Sequence, residues 1–339
     1  VSMLYDNSLV IIDGFIYLLD SDGEMIASYG TLERTSAVSA VLYSPCGTEI
    51  HFKPFEVDGL DDVIRITNGI NSETDNPNEV FDVFWHTVEE NFAFFDIMNI
   101  DWKNLYDEKT KVINSSTTEE DLFAIMAESF SLLNDGHGSL IGTINGKTYS
   151  HYMREPNPSQ WMAENITSFF SIIDKKMKKG LKCEVEDRMY YGITNDSILY
   201  INILAYLGYS ESGSIPDEKK NFSKSIDKIL FDDENYKGIM IDIRWNIGGY
   251  DECALSLAGR FTNQTIHAYS KQARIGDYNE FSQLTPIYVE PAEKRVLNKP
   301  VRILTSRLTV SGGDIQALIL KNAEFSNVKL IGENTNGSL

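Results

Sequence analysis

A serine hydroxyl becomes a nucleophile when a neighbouring base takes its proton and nearby donors accept the charge that develops on the attacked oxygen. In this 339-residue chain the stretch Leu308-Thr309-Val310-Ser311-Gly312-Gly313-Asp314 presents such a serine. Before it, Pro300-Val301-Arg302-Ile303-Leu304-Thr305 reads as a buried strand. After it, Gly313 to Ala323 reads as a helix with Ile315, Leu318 and Ile319 on one face. Ser311 therefore stands at a strand-to-helix junction, where first-turn N–H groups and the helix dipole favour negative charge. Serine is also a preferred N-cap, so the local setting leaves both roles open.

A second junction follows another apolar run. Gly238-Ile239-Met240-Ile241-Asp242-Ile243-Arg244 reads as a buried parallel strand, and Trp245-Asn246-Ile247-Gly248-Gly249 leads to a helix over Glu252 to Phe261. Glycines let backbone N–H groups turn toward a ligand, and paired N–H groups there could hold an oxyanion. A plain tight turn has the same composition. Arg244 and Asn246 are placed to brace this loop. Of the five histidines, His51, His86, His137, His151 and His267, only His137 sits in a glycine-flanked turn, Asn134-Asp135-Gly136-His137-Gly138. Such a loop presents a side chain into a cleft.

The elements that must position these residues alternate. Ile198 to Ile203 reads as a strand, Ser223 to Phe231 as a short helix, and Val328 to Gly332 as the strand after the Ser311 helix. That alternation indicates an α/β architecture. Upstream, Val80, Val83, Phe84, Val88, Phe92 and Phe95 recur at helical spacing, and a second helix runs from about Glu119 to Leu133, started by a capping box of Thr117 and Glu120. Residues 145 to 195 are mixed. Residues 1 to 70 read as a small β-rich domain, through Leu9 to Ile12, Phe15 to Leu19, Val41 to Tyr43 and Ile50 to Phe55. Residues 71 to 78 read as a linker and 79 to 339 as a catalytic domain, with a helical part at about 79 to 137 and an α/β core at about 197 to 339.

The ordered set Leu132-Leu133-Asn134-Asp135-Gly136-His137, Ile241 to Gly249, Thr309 to Asp314 and Ile331 to Gly337 resembles the tail-specific protease family, which includes C-terminal processing proteases and the catalytic core of tricorn protease. Phe84-Trp85 and Ile100-Asp101-Trp102 resemble that family's leading helical part. The resemblance covers roughly residues 78 to 339 and implies a crotonase-like ββα core with parallel strands. It implies Ser311 as nucleophile, His137 as general base, and the N–H of Gly312 with that of Gly248 or Gly249 as the oxyanion hole. The processing branch uses a lysine shortly after a Thr-x-Gly turn. Here Thr335-Asn336-Gly337-Ser338 is followed by no lysine before Leu339, so the histidine branch is expected.

Two departures qualify the match. The tricorn-like site has a serine before its histidine where this chain has Gly136, and its orienting glutamate is expected beyond Leu339, in a chain that reads as truncated at its C-terminus. Asp135 or Glu333 are the candidates for that orienting role. No regulatory PDZ module is legible between His137 and Ile198. The implied reaction is peptide hydrolysis through a Ser311 acyl-enzyme, with a peptide or protein substrate, no metal and no cofactor. Export to the cell envelope or beyond is implied by the family alone. Three other readings compete. An α/β-hydrolase would need one more glycine before Ser311 and a histidine after it. A crotonase-like acyl-CoA enzyme would use the oxyanion pair without Ser311. A non-catalytic ligand- or peptide-binding protein would keep the fold alone.

Bulk composition narrows the partners. With 50 acidic and 30 basic residues the formal charge is −20, which disfavours nucleic acid and anionic lipid. No apolar run approaches a membrane span. The three cysteines, Cys46, Cys183 and Cys253, have no metal-ligand spacing. Oligomeric state is not legible.

Overall fold

The computed structural model describes residues 76–153, 158–232, 235–274, 281–322 and 325–338, together with the backbone of five strands between residues 8 and 52. Those strands are β1 (Ser8–Ile12), β2 (Phe15–Leu19), β3 (Met25–Ser36), β4 (Ser39–Tyr43) and β5 (Glu49–Phe52), paired in chain order as an antiparallel sheet. The twelve-residue β3 is longer than any strand expected there. Most of the expected linker over residues 71 to 78 lies outside the described residues.

The chain divides into two compact units, one of residues 1–133, 141–149 and 270–285, the other of residues 134–140, 150–269 and 286–339. In the first, α1 (Pro77–Asn91) begins with an Asn76 cap and a proline in its first turn, the arrangement that spares an orphan N–H. It is followed by α2 (Phe95–Met98), α3 (Trp102–Lys109) and α4 (Glu119–Ser131). Trp85 and Trp102 each donate an indole N–H to the other's backbone carbonyl, at 3.0 and 3.1 Å, which ties α1 to α3. The cap of α4 is Thr118, whose hydroxyl accepts the Asp121 N–H at 3.1 Å. The expected Thr117 is displaced from that role by one residue, because its own hydroxyl accepts the Asn114 N–H in the preceding turn.

The remaining elements are β6 (Ser139–Ile144), β7 (Lys147–Tyr152), α5 (Pro158–Asp174), β8 (Lys182–Val185), β9 (Met189–Ile193), β10 (Ile198–Ile203), α6 (Ile215–Phe231), β11 (Gly238–Asp242), α7 (Asp251–Ala258), β12 (Ile266–Lys271), β13 (Thr285–Val289), β14 (Val301–Thr305), α8 (Gly312–Asn322) and β15 (Val328–Gly332). The fold of the second unit is mixed α/β around one mostly parallel sheet, in the order β15-β14-β11-β10-β9-β8. The pairs β10–β11, β11–β14 and β14–β15 are parallel, while β9 and β8 add an antiparallel edge.

Strand side chains alternate between faces. Ile201, Ile203, Ile241, Ile243, Val301 and Ile303 are fully buried on one face, in one cluster with Phe222 and Ile226 of α6, Cys253 and Leu257 of α7, and Ile319 of α8. Burying each such aliphatic side chain stabilises the fold by roughly 1.5–3 kcal/mol. Residues of the other parity, Tyr200, Asn202 and Asp242, face away and are also buried. The sheet thus fixes the ends of β11 and β14 side by side, with Asp242 opposite Leu304, and delivers both candidate loops at one edge.

Candidate active site

The loop from β14 to α8 is fastened to the loop after β11. Thr309 is buried, and its hydroxyl donates to the Ile243 carbonyl at 2.8 Å. The Val310 N–H donates to the Asn246 carbonyl at 3.0 Å, and the Ser306 hydroxyl donates to the Arg244 carbonyl. These bonds deliver Ser311 in a left-handed backbone conformation, with φ of 54°. Few residues other than glycine adopt that region. An N-cap residue normally has extended backbone and a side-chain oxygen that accepts an N–H of the first turn. Ser311 has neither. Its N–H donates to the Ser338 carbonyl at 3.0 Å, and among the described hydrogen bonds its hydroxyl has no partner.

The glycine turn lies against this serine. Asn246 is fully buried. Its Nδ2 donates to the Ile203 carbonyl at 2.9 Å, and its Oδ1 accepts the Gly248 N–H at 2.8 Å. The loop is held further by the Tyr206 N–H to the Gly248 carbonyl at 2.6 Å and the Tyr250 N–H to the Tyr206 carbonyl at 3.0 Å. Gly248 and Gly249 have φ of 93° and 125°, and a Cβ at Gly248 would overlap Ser311 Cβ. A Cβ at Gly312 would stand 2.7 Å from the Gly249 carbonyl oxygen. The two turns can therefore approach only without side chains. Among the described hydrogen bonds, the N–H groups of Gly249 and Gly312 are uncommitted, whereas that of Gly248 is taken by Asn246.

His137 follows a turn in which Asn134 has φ of 46°. The His137 N–H donates to Asp135 Oδ1 at 2.9 Å, and His137 Nδ1 lies 3.5 Å from the same oxygen. The imidazole is 43 % exposed, so one ring nitrogen faces Asp135 while the ring stays accessible. Gly136 packs on the segment that follows β15, where a Cβ would overlap Ser338 Oγ. Ser338 reaches the nucleophile turn in turn, through its carbonyl and Ser311. The structure thus brings together the His137 turn, the glycine turn, the Ser311 turn and residues 336–338. His137 and Ser311 share no hydrogen bond among those described. Glu333 makes no hydrogen bond to His137 among those described. Its carboxylate accepts the Arg307 N–H at 3.4 Å and its carbonyl accepts the Thr305 hydroxyl at 2.8 Å.

Three contributors were not anticipated: Asp314, Asn336 and Ser338. Asp314 is 4 % exposed, and burial raises its carboxyl pKa against hydrogen bonds from Thr335, Gly337, Ser338 and Ser311 that act the other way. Its position three residues after Ser311 fits a capping pattern, so a sequence signal existed. For Ser338 none did, because its contacts are with residues far away in the chain. At the end of β11 a network forms around the buried Asp242. Arg244 donates to both oxygens of Asp242, at 2.9 and 2.6 Å, and Tyr200 donates to Asp242 at 2.7 Å. Arg244 thus secures the strand end, while Asn246 braces the turn. The Arg244 pKa is raised by the hydrogen bond to Asp242, and that of Tyr200 by burial and then by the same carboxylate. Cys253, on the helix after the glycine turn, has its thiol pushed up to about 12 by burial, which removes it as a thiolate nucleophile.

Among the described residues, no group of three or more His, Cys, Asp or Glu is placed to hold a metal ion, and no helix is long and apolar enough to cross a membrane. Residues 197–339 match the sequence model of Peptidase family S41, and residues 74–131 match that of the Tricorn protease C1 domain. A candidate peptidase from Parabacteroides merdae is similar in fold, with 22 % identity and a TM-score of 0.59 over 78 % of this chain and 77 % of that one. Mature CPAF complexed with lactacystin is similar at 11 % identity and a TM-score of 0.51, over 78 % of this chain and 85 % of that one. Comparison with curated proteins gives no match.

Proposed function

We propose that the chain is a serine-type peptidase of family S41, whose sequence model matches residues 197–339, with Ser311 as its nucleophile and His137 as its general base. The observation that carries this is the Ser311 hydroxyl. It stands on a positive-φ turn, spends no bond on capping its helix, and lies against glycines whose missing side chains leave its surroundings open.

In the proposed reaction, Ser311 Oγ attacks the carbonyl carbon of a peptide bond as His137 takes its proton. Asp135 faces Nδ1, so Nε2 is the nitrogen that works. The oxyanion is received by the N–H groups of Gly249 and Gly312. Gly248 is left to hold the turn through Asn246, which narrows the expected pair to these two donors. His137 then gives its proton to the leaving amine as the C–N bond breaks, leaving an acyl group on Ser311. Water attacks that ester with His137 again as base, and Ser311 leaves reprotonated. The unmade Ser311–His137 bond fits a free enzyme, whose catalytic hydrogen bonds often tighten only around substrate. Family membership supports work in the cell envelope or outside the cell, to be checked by fractionation.

A fluorophosphonate probe with the adduct mapped by mass spectrometry tests the reading. Labelling is expected at Ser311 and is expected to vanish in Ser311→Ala and His137→Ala. An unlabelled Ser311, with peptide turnover unchanged in Ser311→Ala, would sink it. Retained peptide binding without turnover would return the chain to a binding role, which the unmade Ser311–His137 bond would then explain.

A further inference from the structure

Asp314 uses its carboxylate in a way that helix capping does not require. It sits in the first turn of α8, 4 % exposed. Its Oδ1 accepts the Gly337 N–H at 2.8 Å and its Oδ2 accepts the Ser338 N–H at 3.2 Å. The Thr335 side chain and the Ser311 backbone also hydrogen-bond to it. A cap would satisfy N–H groups of its own helix. Here most of the bonds go to a segment more than twenty residues further on.

That segment touches Ser311 on one side and Gly136, the residue before His137, on the other. The Ser338 carbonyl accepts the Ser311 N–H, and the Asn336 N–H donates to the Thr309 carbonyl at 2.9 Å. On its other side, Ser338 Oγ bonds Asn336 Oδ1, and these two side chains together fill the space a side chain on residue 136 would need. Gly136 is not among the glycines with positive φ. Its backbone would accept a side chain, and only space excludes one.

We propose that Asp314 is a positioning residue which, through residues 335–338, holds the Ser311 turn and the His137 turn in one register. The proposal rests on Ser311 and His137 being the reacting pair. A carboxylate suits the role because several donors converge on it, whereas an amide would turn an NH2 group toward one of them.

The test is saturation labelling of the purified chain with a fluorophosphonate, which separates the bond-forming rate from probe affinity. For Asp314→Asn, folded by circular dichroism, the maximal rate is expected to fall about tenfold or more with affinity within about twofold, as a misplacement of reacting groups predicts. Gly136→Ala is expected to fall in the same way, since its methyl displaces Ser338. Gly136→Ala combined with Ser338→Gly, which also removes the bond holding Asn336 Oδ1 against residue 136, is expected to recover most of the loss, a rescue that general unfolding would not give. A wild-type maximal rate in Asp314→Asn, a loss confined to affinity, or a double variant no faster than Gly136→Ala overturns the proposal. If Asp314→Asn does not fold, the Gly136 and Ser338 variants decide alone. A wild-type chain unlabelled at Ser311 overturns the nucleophile assignment and this proposal together, while a labelled wild type with unmoved variants overturns only this one.

Discussion

At the scale of single residues, the site depends on side chains that are missing as much as on those present. Gly248 combines φ of 93° with a Cβ position already occupied by Ser311. Gly248→Ala is therefore expected to cost about 1–3 kcal/mol of stability from backbone strain. It should also slow Ser311 labelling about a hundredfold, the scale on which misplaced groups lose rate. Thermal unfolding and labelling kinetics on one preparation check both. Asp314 carries a pH signature. Burial raises its folded-state pKa, so the folded chain keeps that proton to a higher pH than the unfolded chain does. Its contribution to stability is full below the unfolded aspartate pKa and is lost as pH rises through the folded value. Asp314→Asn should flatten the stability–pH curve in that interval, as measured by urea unfolding at a series of pH values. Ser311 and His137 stand out as candidates in the sequence because each sits beside glycines at an element boundary. The Asn246 bond to Gly248 was not, since a side chain's choice between two neighbouring N–H groups has no trace in residue order.

At the scale of elements, strands were easier to read than helix starts. Gly238–Asp242 is a short, almost wholly buried apolar run, and Val301–Thr305 is buried on one face and half-buried on the other; such runs have few alternatives. α6 was expected from Ser223 yet begins at Ile215, capped by Ser214. Its first turns read Pro216-Asp217-Glu218-Lys219-Lys220, a polar run that hides one buried carboxylate. Glu218 is 2 % exposed and accepts the Tyr209 and Ser210 N–H groups at 2.8 and 3.2 Å. Glu218→Ala leaves both donors without that acceptor and is expected to destabilise the chain by about 1–3 kcal/mol. A lower urea midpoint with an unchanged slope would fit, and an unchanged midpoint would not. The helix Pro158–Asp174 and the antiparallel strands Lys182–Val185 and Met189–Ile193 lay within the stretch read only as mixed. Two of these elements are only four or five residues long, and a basic run, Lys175 to Lys179, sits between them and the helix.

At the scale of the whole molecule, a formal charge of −20 sets the long-range field. Acidic surfaces raise the encounter rate of cationic ligands, and salt removes the advantage. For a lysine-rich peptide substrate, kcat/KM should fall about threefold or more between roughly 0.01 and 0.15 M salt, while a neutral peptide of equal length changes little. Equal salt dependence for the two peptides would show that the field near the site is not acidic. The α/β class followed from alternating periodicity, which survives uncertainty at any one boundary. The long β3 strand near the start of the chain did not show itself, because its apolar and polar residues follow no clean alternation. The bonds from Thr309, Val310 and Ser306 back to residues 243–246 have a practical corollary for anyone reshaping substrate preference. The loops after β11 and β14 are one mechanical part made from two stretches of chain. A graft from another protease that replaces either loop alone would meet a host surface cut for its old partner, so the two must be exchanged as a matched pair.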